Sequence, residues 1–331
     1  MSATAPNPNA VLGIARAFME SRVLLTAVEL DLFTLLAGSA RSAVEVANRL
    51  GSDLRATTVL LDALTAMELL EKTGDRYRAS AEAGVLLAED AAGSVLPMAR
   101  HAAHLWTRWS RLTEIVRHGL TQELAPAARS EEALRAFIGA MHVIGAPQAD
   151  AVIASIDLTG VRRVIDVGGA SGTYAMAFLR REPRLRATVF DLPPVIELAR
   201  ERLGAEGLLD RVDLVAGDFD RDELPTGHDL AWLSAIIHQN SPEENRQLYA
   251  RIHRALVPGG RVIIRDHVMS PTRTAPRGGA LFAVNMLVAT PGGGTYTLDE
   301  IRGDLEIAGF TRVELLHPDE RMNGLVTATR A

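Results

Sequence analysis

Three segments in the second half of the chain combine glycine with carboxylates. The first is the Asp-Val-Gly-Gly-Ala-Ser-Gly loop at residues 166–172, the second ends in Asp191, and the third is Gly217-Asp218-Phe219. Glycines allow positive φ angles and let a ligand approach the backbone. The carboxylate of Asp191, 25 residues after Asp166, can accept hydrogen bonds from both hydroxyls of a ribose. The three segments together predict a nucleoside-binding crevice.

The order of the glycines argues against one common class of nucleotide site. Dinucleotide-binding folds use Gly-x-Gly-x-x-Gly, whereas the glycines here fall as Gly-Gly-x-x-Gly. The carboxylate of Asp166, two residues before the first of them, would also face a pyrophosphate unfavourably. It suits a ligand with a cationic head group. S-adenosylmethionine (SAM) carries an ammonium and a sulfonium but no phosphate, so we expect the crevice to bind SAM.

His238 is the candidate base. It is predicted to close the fourth strand of a parallel sheet whose first and fourth strands border the ligand crevice. If SAM is the ligand, transfer of its methyl group to a hydroxyl is faster when the oxygen loses its proton as it attacks the methyl carbon, and the bond from that carbon to the sulfonium sulfur breaks. An imidazole, with an ordinary pKa of about 6.5, can accept that proton near neutral pH and contribute about 10²–10⁴-fold in rate. Asp266, 28 residues further along, ends the next predicted strand and would lie at the same edge of the sheet.

The other histidines are weaker candidates. His101 and His104 are three residues apart on a predicted helix, but the spacing shows no third ligand, and no metal site is expected. His267 adjoins Asp266 and, on a strand, would point to the opposite face.

A parallel sheet is needed to position these side chains. From about Arg162, short apolar runs alternate with helices of 10–15 residues, which is typical of a doubly wound α/β sheet covered on both faces. The last segments, GFTRVELLHP and NGLVTATRA, predict a closing hairpin. The preceding residues 94–157 have a helical pattern, and a bend is expected between Gly145 and Pro147.

Residues 42–80 predict a winged helix. Ser42 caps a short helix, a turn at Gly51 leads into a second helix, and a hairpin turns at Gly74-Asp75. Such a unit either binds DNA through its second helix or serves as a structural element in a dimer. Residues 41–80 carry six basic and six acidic residues, so no local positive charge favours DNA. We expect the structural role.

The N-terminal segment is apolar beyond a short polar start. The first ten residues are small and polar and predict a loose arm. Ile14, Phe18, Leu25 and Val28 then follow near-heptad spacing, and the apolar pattern continues to Leu36, which predicts two apolar helices. So much apolar surface needs a partner, and we expect a homodimer.

Composition narrows the class of protein further. The chain has 331 residues, of which 47% are hydrophobic, and a formal net charge of −6. This dispersed negative charge argues against a general polyanion binder. The absence of cysteine excludes disulfides and fits a reducing compartment. Since no apolar run approaches the roughly 20 residues that span a bilayer, we expect a soluble cytoplasmic protein without a membrane partner.

The motifs DVGGASG, VFDLP and GDF, followed by a strand leading to His238, resemble the class I SAM-dependent O-methyltransferases known from plant phenylpropanoid and bacterial natural-product enzymes. The resemblance covers nearly the whole chain. It implies a Rossmann-like sheet in the order 3-2-1-4-5-7-6, preceded by a mostly helical winged-helix dimerisation domain. The implied division is 1–93 for dimerisation, 94–157 for a helical linker contributing to the substrate pocket, and 158–331 for the SAM-binding domain.

The same resemblance assigns roles to individual residues. Asp191 would hold the ribose, Asp218 and Phe219 the adenine, and Gly168 the methionine part. His238 would be the general base and Asp266 its orienting carboxylate. The full cofactor set is Asp166, Gly168, Gly169, Asp191, Leu192, Gly217, Asp218, Phe219 and Ser234. The acceptor pocket would include Phe137, Met141, Phe282 and Met286.

Three positions near the candidate base depart from the family pattern. Gln239 and Asn240 replace an Asp-Trp pair that follows the histidine, and Thr295 replaces a third acid. The expected function is therefore O-methylation of a small, aromatic or polycyclic metabolite. The alternatives are C- or N-methylation or non-methylating chemistry on the same cofactor, and a DNA-binding regulator that uses the winged helix.

Overall fold

The structure is a computed structural model that describes residues 7–89, 91, 93–121, 131–319 and 321–331. Its internal contacts divide the chain into two compact units, Met1–Trp106 and Thr107–Ala331. The division falls within the segment that the sequence assigns to a helical linker.

The first unit contains the predicted winged helix. Its elements are α1 (Pro8–Arg16), α2 (Phe18–Glu29), α3 (Leu32–Ala37), β1 (Arg41–Ser42), α4 (Ala43–Leu50), α5 (Leu54–Ala66), β2 (Leu70–Thr73), β3 (Arg76–Ala79) and α6 (Ala81–Leu87). Ser42 caps α4 and forms a reciprocal capping box with Glu45, as its sequence position predicts. The hairpin β2–β3 turns at Gly74-Asp75, where Gly74 has a φ of +62°. Strand β1 completes a sheet in the order β1-β3-β2.

The charges of the winged helix are largely internal to it. Three of the six cations in residues 41–80 pair with carboxylates, in Lys72–Asp62, Arg76–Glu45 and Arg78–Glu71 contacts of 2.6, 3.0 and 2.7 Å. These pairs reduce the positive charge that the unit could direct at a phosphate backbone.

Two predictions about the N-terminal segment are wrong. Helix α1 begins at Pro8, because Asn7 caps it and proline is well suited to the first turn, so residues 8–10 are not a loose arm. The part of that prediction on residues 1–6 lies outside the described residues. Leu25, Val28 and Leu36 are not surplus apolar surface, since they are at most 7% exposed, and Val28 and Leu36 belong to the core of the first unit. The exposed apolar side chains instead precede them: Val11, Leu12, Ile14, Phe18 and Met19.

The second unit is a doubly wound α/β domain with helices before it. Helix α7 (Leu96–Trp109) begins in the first unit, and α8 (Leu112–His118) and α9 (Glu131–Ala154) follow. Helix α9 runs unbroken across Gly145 and Pro147. The remaining elements are β4 (Arg163–Val167), α10 (Thr173–Arg181), β5 (Arg186–Asp191), α11 (Pro193–Ala205), β6 (Val212–Ala216), β7 (His228–Ser234), α12 (Pro242–Ala255), β8 (Leu256–Asp266), β9 (Val268–Met269), α13 (Arg277–Ala289), β10 (Tyr296–Thr297), α14 (Leu298–Ile307), β11 (Phe310–His317) and β12 (Gly324–Arg330).

The central sheet has the order β11-β12-β8-β7-β4-β5-β6. Strands β4 to β8 pair in parallel, and β12 and β11 add to the β8 edge as an antiparallel hairpin. Counted from β4, this is the order 3-2-1-4-5-7-6 implied by the resemblance. One hydrophobic core, with Phe178 and Leu203, packs with α9 to α11 on one face, and a second, with Tyr249 and Leu305, packs with α12 and α14 on the other. The carboxyl ends of five parallel strands therefore meet at one edge of a fully covered sheet.

One helix reaches the length of a membrane span. Residues 133–154 of α9 have a mean hydropathy of 1.3 over the most apolar window, of which 28% is buried. This corrects the expectation that no apolar run approaches that length. A single such helix is weak evidence for a membrane protein, because the core helix of a soluble protein passes the same test.

Candidate active site

The glycine loop is tied to the end of β5. The amide of Gly168 donates to the carbonyl of Phe190 at 2.9 Å, and the Asp191 carboxylate accepts from the amides of Ala170 and Leu192 at 2.8 and 2.7 Å. One lone pair of Asp191 thereby fixes the loop through Ala170, one accepts from the residue that follows it, and the rest remain for a ligand. Burial raises the pKa of this carboxyl, which is 8% exposed.

The backbone of the loop requires glycine where it approaches its neighbours. Gly168 has a φ of +68°, and a Cβ there would lie 2.4 Å from Cδ1 of Ile236. Phe219 also comes within 3.3 Å of that position, so the loop and the turn after β6 meet. A Cβ at Gly217 would lie 2.4 Å from the Phe190 ring, and one at Gly169 would lie 2.9 Å from Cγ of Asp166. Predicted cofactor residues on three successive strand ends are thus in close proximity.

Ala170 shows the cost of the loop's departure from an all-glycine pattern. Its φ of +50° lies in the left-handed region, which disfavours a residue with a Cβ by about 1–2 kcal/mol. The bond from its amide to Asp191 holds the residue in that conformation.

Asp166 is a buried carboxylate beneath the loop. It is 2% exposed, and its Oδ2 has no hydrogen-bond partner among the described residues. Its pKa is raised to about 7, mainly because the carboxyl is buried. A backbone hydrogen bond from Ala175 lowers this pKa, and the charge of Asp191 raises it. An acceptor atom left unpaired in the interior is costly unless a ligand satisfies it. Two neighbouring buried carboxylates fit a cationic ligand such as SAM and would repel a phosphate.

Asp218 and Ser234 are at their predicted strand ends, but their side chains are engaged. Asp218 Oδ1 accepts from the amide of Asp220 at 3.0 Å, which shapes the turn after β6. The Ser234 hydroxyl accepts from Nη1 of Arg265 at 3.1 Å. Arg265 is 4% exposed and lies over the Tyr174 ring at 5.2 Å, and burial lowers the pKa of its guanidinium.

His238 and Asp266 form a hydrogen-bonded pair at the adjoining strand ends. Nδ1 of His238 is 2.9 Å from each oxygen of the Asp266 carboxylate. The Asp266 side chain is 1% exposed and that of His238 is 12% exposed. Since a carboxylate only accepts, Nδ1 carries the proton and Nε2 presents its lone pair. Nε2 has no partner within the described ranges of the chain, so this atom of the imidazole is free to accept a proton.

The sequence predicts that His238 closes the fourth strand, and this prediction is wrong. Strand β7 ends at Ser234, Ala235 turns the chain with a φ of +58°, and His238 lies in a single 3₁₀ turn, Ile237–Gln239. The turn is held from behind: the Gly294 amide donates to the His238 carbonyl at 2.8 Å. A Cβ at Gly293 would lie 2.5 Å from that same carbonyl oxygen, and one at Gly292 would lie 2.7 Å from Cβ of Ser241, so both positions require glycine.

Further bonds hold the ends of this turn. Asn245 donates to the carbonyl of Ile237 at 2.9 Å, and the Tyr296 hydroxyl donates to the carbonyl of Asn240. Burial raises the pKa of Tyr296 to about 12, so this phenol stays protonated and keeps donating. Thr295, at the position of the missing third acid, is 4% exposed, and its carbonyl accepts from Arg273. One carboxylate, that of Asp266, therefore orients the base.

The predicted acceptor residues lie on two helices. On α13, the Phe282 ring meets the His238 imidazole edge to face at 4.8 Å, and Met286 is 6% exposed one turn later. Phe137 and Met141 lie on α9, and their contact with an acceptor stays a prediction. The next residue, His142, bonds through Nδ1 to the Thr173 hydroxyl at 2.9 Å, which joins α9 to the start of α10 beside the glycine loop.

Several residues that shape this region were not predicted from the sequence. Arg265 could have been found as a charge directly after the apolar run Val-Ile-Ile in RVIIRDHV, and Tyr296 as the aromatic residue two positions after the glycine run. His142 and Tyr174 gave no signal, because their roles come from contacts between elements. His267 lies just beyond the end of β8, and its ring packs at 5.2 Å on Phe282, the same ring that His238 contacts. Among the described residues, no cluster of three His, Asp or Glu side chains could hold a metal ion.

Comparison with known proteins agrees with this geometry. Residues 109–311 match the family model of the O-methyltransferase domain, and residues 12–89 match that of the O-methyltransferase dimerisation domain. The chain is 36% identical to 3-hydroxy-5-methyl-1-naphthoate 3-O-methyltransferase of Streptomyces sahachiroi, over 98% of this chain and 96% of that protein. It is 33% identical to the N,N-dimethyltransferase OxyT of Streptomyces rimosus, over 91% and 90%.

A solved structure extends the similarity to the fold. Human N-acetylserotonin methyltransferase in complex with SAM superposes with a TM-score of 0.83 and 25% identity, over 100% of this chain and 99% of that one. The strand-end carboxylates, the glycine loop and the histidine–aspartate pair therefore occur in a chain whose two units both match models of one family. The protein belongs to the O-methyltransferase family and is a SAM-dependent O-methyltransferase with its own dimerisation domain.

Proposed function

We propose that this enzyme methylates a hydroxyl of a small aromatic or polycyclic metabolite and that His238 is the general base. The observation that carries the proposal is the His238–Asp266 pair, which fixes the imidazole with Nε2 facing away from the carboxylate. An acceptor hydroxyl that donates to Nε2 loses its proton to it as the oxygen attacks. The Asp266 carboxylate stabilises the imidazolium that forms.

The remaining side chains bind the two reactants. SAM, when bound, supplies the methyl group on a sulfonium. Asp191 would hold the ribose, Phe219 the adenine together with Asp218, and Asp166 the cationic part of the methionine moiety. Phe282 and Met286 offer an apolar wall for a planar acceptor beside His238, and Phe137 and Met141 would extend it from α9.

Cofactor affinity should depend on pH through Asp166. Burial raises the pKa of this carboxyl to about 7, so below that pH it is neutral and a cationic ligand must first displace its proton. We expect affinity for S-adenosylhomocysteine, which retains the ammonium, to rise up to about tenfold per pH unit between about pH 6 and about pH 7 and to level off above it. Titration calorimetry across this range is the measurement.

The matched variant is Asp166→Asn, which cannot titrate and should show weak, nearly pH-independent binding.

The stability of the fold should depend on pH through Asp166 in the opposite direction to cofactor affinity. A raised carboxyl pKa contributes stability at acid pH that is lost as the pH rises through about 7. A wild-type affinity that does not change with pH would contradict the role of Asp166.

We also propose that the first unit forms a homodimer through its exposed apolar helices. Helix α1 buries none of its residues within the described chain, and Ile14 and Phe18 are 74% and 53% exposed. A contiguous apolar surface of this kind marks an interaction site, and a self-complementary one closes by twofold symmetry. Residues 94–157 would connect this unit to the SAM-binding domain, 158–331, in a soluble cytoplasmic enzyme that binds neither DNA nor a membrane.

The dimer should dissociate when charge is placed on that surface. Ile14→Glu with Phe18→Glu is expected to convert a dimer into a monomer at micromolar concentration, because two carboxylates per protomer would have to be buried at the interface. Sedimentation velocity measures this. Ile307→Glu, at a side chain 72% exposed on α14, is the control and should remain dimeric. A monomeric wild type would contradict the proposal.

N-methylation is the second candidate. It is favoured by the similarity to an N,N-dimethyltransferase and by the replacement of the acid after the histidine with Gln239. An amine attacks through its lone pair and needs no base before transfer, whereas a phenol does. Incubation with matched phenol and aniline acceptors, followed by identification of the methylated atom by NMR, decides between them. Methylation of the aniline alone would overturn the O-methyl proposal.

A further inference from the structure

A second histidine–aspartate pair lies beside the first. Nδ1 of His267 is 2.6 Å from Oδ2 of Asp319, and the two side chains are 6% and 0% exposed. The other carboxylate oxygen accepts from the amide of Asn323 at 3.1 Å. Asp319 therefore holds the proton on Nδ1 of His267 as Asp266 does for His238, and Nε2 of His267 presents a lone pair with no partner in the described part of the chain.

The two pairs are joined by one ring and one hydrogen bond. Phe282 contacts the His238 imidazole at 4.8 Å and the His267 imidazole at 5.2 Å between ring centroids. The amide of His267 donates to Oδ1 of Asp266 at 2.8 Å. Both imidazoles are thus placed around the aromatic side chain that is expected to contact the acceptor.

A purely structural role explains this arrangement poorly. Burying an imidazole and a carboxylate is costly, and an apolar pair of similar size commonly stabilises a core at least as well. The pair also leaves Nε2 of His267 without a protein partner in the described part of the chain, and this nitrogen is not one of the fully buried unpaired atoms, so a ligand can reach it. A ligand hydroxyl would satisfy that nitrogen.

We propose that His267 is a second acceptor-binding histidine. Its Nε2 accepts a hydrogen bond from a second hydroxyl on the same ring system as the hydroxyl that His238 deprotonates. The inference rests on the proposed function and narrows its substrate class to aromatics with two hydroxyls on one ring system. Asp319 is the positioning residue, because it sets the tautomer of His267.

The test compares the affinities of two acceptors that differ by one hydroxyl. Binding of 2-naphthol and 2,3-dihydroxynaphthalene to the complex with S-adenosylhomocysteine is measured by calorimetry, which needs no turnover. We expect the dihydroxy compound to bind the wild type about 3- to 10-fold more tightly, the effect of one neutral hydrogen bond. Equal affinities, or no binding of either at millimolar concentration, would overturn the inference.

Two substitutions at His267 separate its two nitrogens. In His267→Asn, the side-chain amide can donate to Asp319 in place of Nδ1, but no atom replaces Nε2. The ratio of the affinity for the dihydroxy compound to that for 2-naphthol should therefore fall to near one. His267→Gln can place an amide near Nε2 and should keep part of the preference. His253→Asn is the control: this histidine also packs on a phenylalanine ring, that of Phe310, away from the site, and the ratio should not change.

Asp319→Asn tests the tautomer. An amide donating to Nδ1 would move the imidazole proton to Nε2 and turn an acceptor into a donor, so the preference for the second hydroxyl should be lost. A variant that only melts at lower temperature while keeping the wild-type ratio would show a structural role and overturn the inference. The proposed function is tested apart from this: a wild type that prefers the diol yet methylates neither compound at oxygen would contradict O-methylation of such acceptors and leave the binding role of His267 supported.

Discussion

His238→Ala is expected to lower kcat on a phenolic acceptor by about 10²–10⁴-fold while cofactor affinity stays unchanged. The base acts on the acceptor proton in the transition state and does not hold the nucleoside, so kcat and kcat/KM should fall together. Asp266→Asn should cost less, because it alters the orientation and tautomer of the imidazole without removing it. Steady-state kinetics of methyl transfer and calorimetry with S-adenosylhomocysteine are the two measurements.

The acidity of the acceptor supplies the discriminating experiment. A phenol that is already ionised at the assay pH needs no base, so it should partly rescue His238→Ala. His317→Ala, at an exposed histidine on β11, is the matched control and should have wild-type kinetics. Full activity of His238→Ala on an acceptor of pKa about 10 would show that the enzyme works by proximity alone or on another type of atom.

Asp191→Ala is expected to weaken binding of S-adenosylhomocysteine by about 5- to 150-fold. The substitution removes the acceptor of two ribose hydrogen bonds, an effect of about 1–3 kcal/mol. It also removes the acceptor for the amides of Ala170, in the glycine loop, and of Leu192, which follows Asp191 in the chain. Asp191→Asn keeps one carbonyl oxygen and should show a smaller loss.

A control for this variant lies on the neighbouring strand. Asp213 is on β6, its side chain is 50% exposed, and it is 3.6 Å from Arg186. Asp213→Ala should leave cofactor affinity at the wild-type value, since it changes the surface charge without touching the loop. Calorimetry that finds Asp191→Ala binding as tightly as wild type would rule out the ribose role.

Much of this architecture could be predicted because local chemistry determines it. The cap at Ser42, the turn at Gly74-Asp75 and the strand ends that carry Asp191 and Asp266 each depend on a few adjacent residues. The proximity of Asp266 to His238 followed from topology, since parallel neighbours end at one edge of the sheet.

Other features depend on contacts that a local pattern does not contain. An apolar stripe at Leu25 and Val28 looks the same whether it faces its own domain or a partner, and here both side chains are buried within their own chain. The turn at Ala235 moves His238 beyond the strand, and only the partners of that turn make its positive φ acceptable. Alternation along a strand places His267 opposite Asp266, but the strand stops at Asp266, and the rule no longer applies.

The residues that hold His238 in place lie outside the helix that is expected to contact the acceptor. The 3₁₀ turn that carries His238 is fixed by Gly294, Asn245 and Tyr296, and its imidazole by Asp266, none of which lies on α13. Apart from Phe282, the side chains of α13 can therefore be exchanged without displacing the proton acceptor. The part of acceptor preference that lies on α13 is therefore separate from the residues that hold the imidazole, so a lineage with this layout can change its acceptors by substitutions on that helix while His238 and Asp266 stay in place.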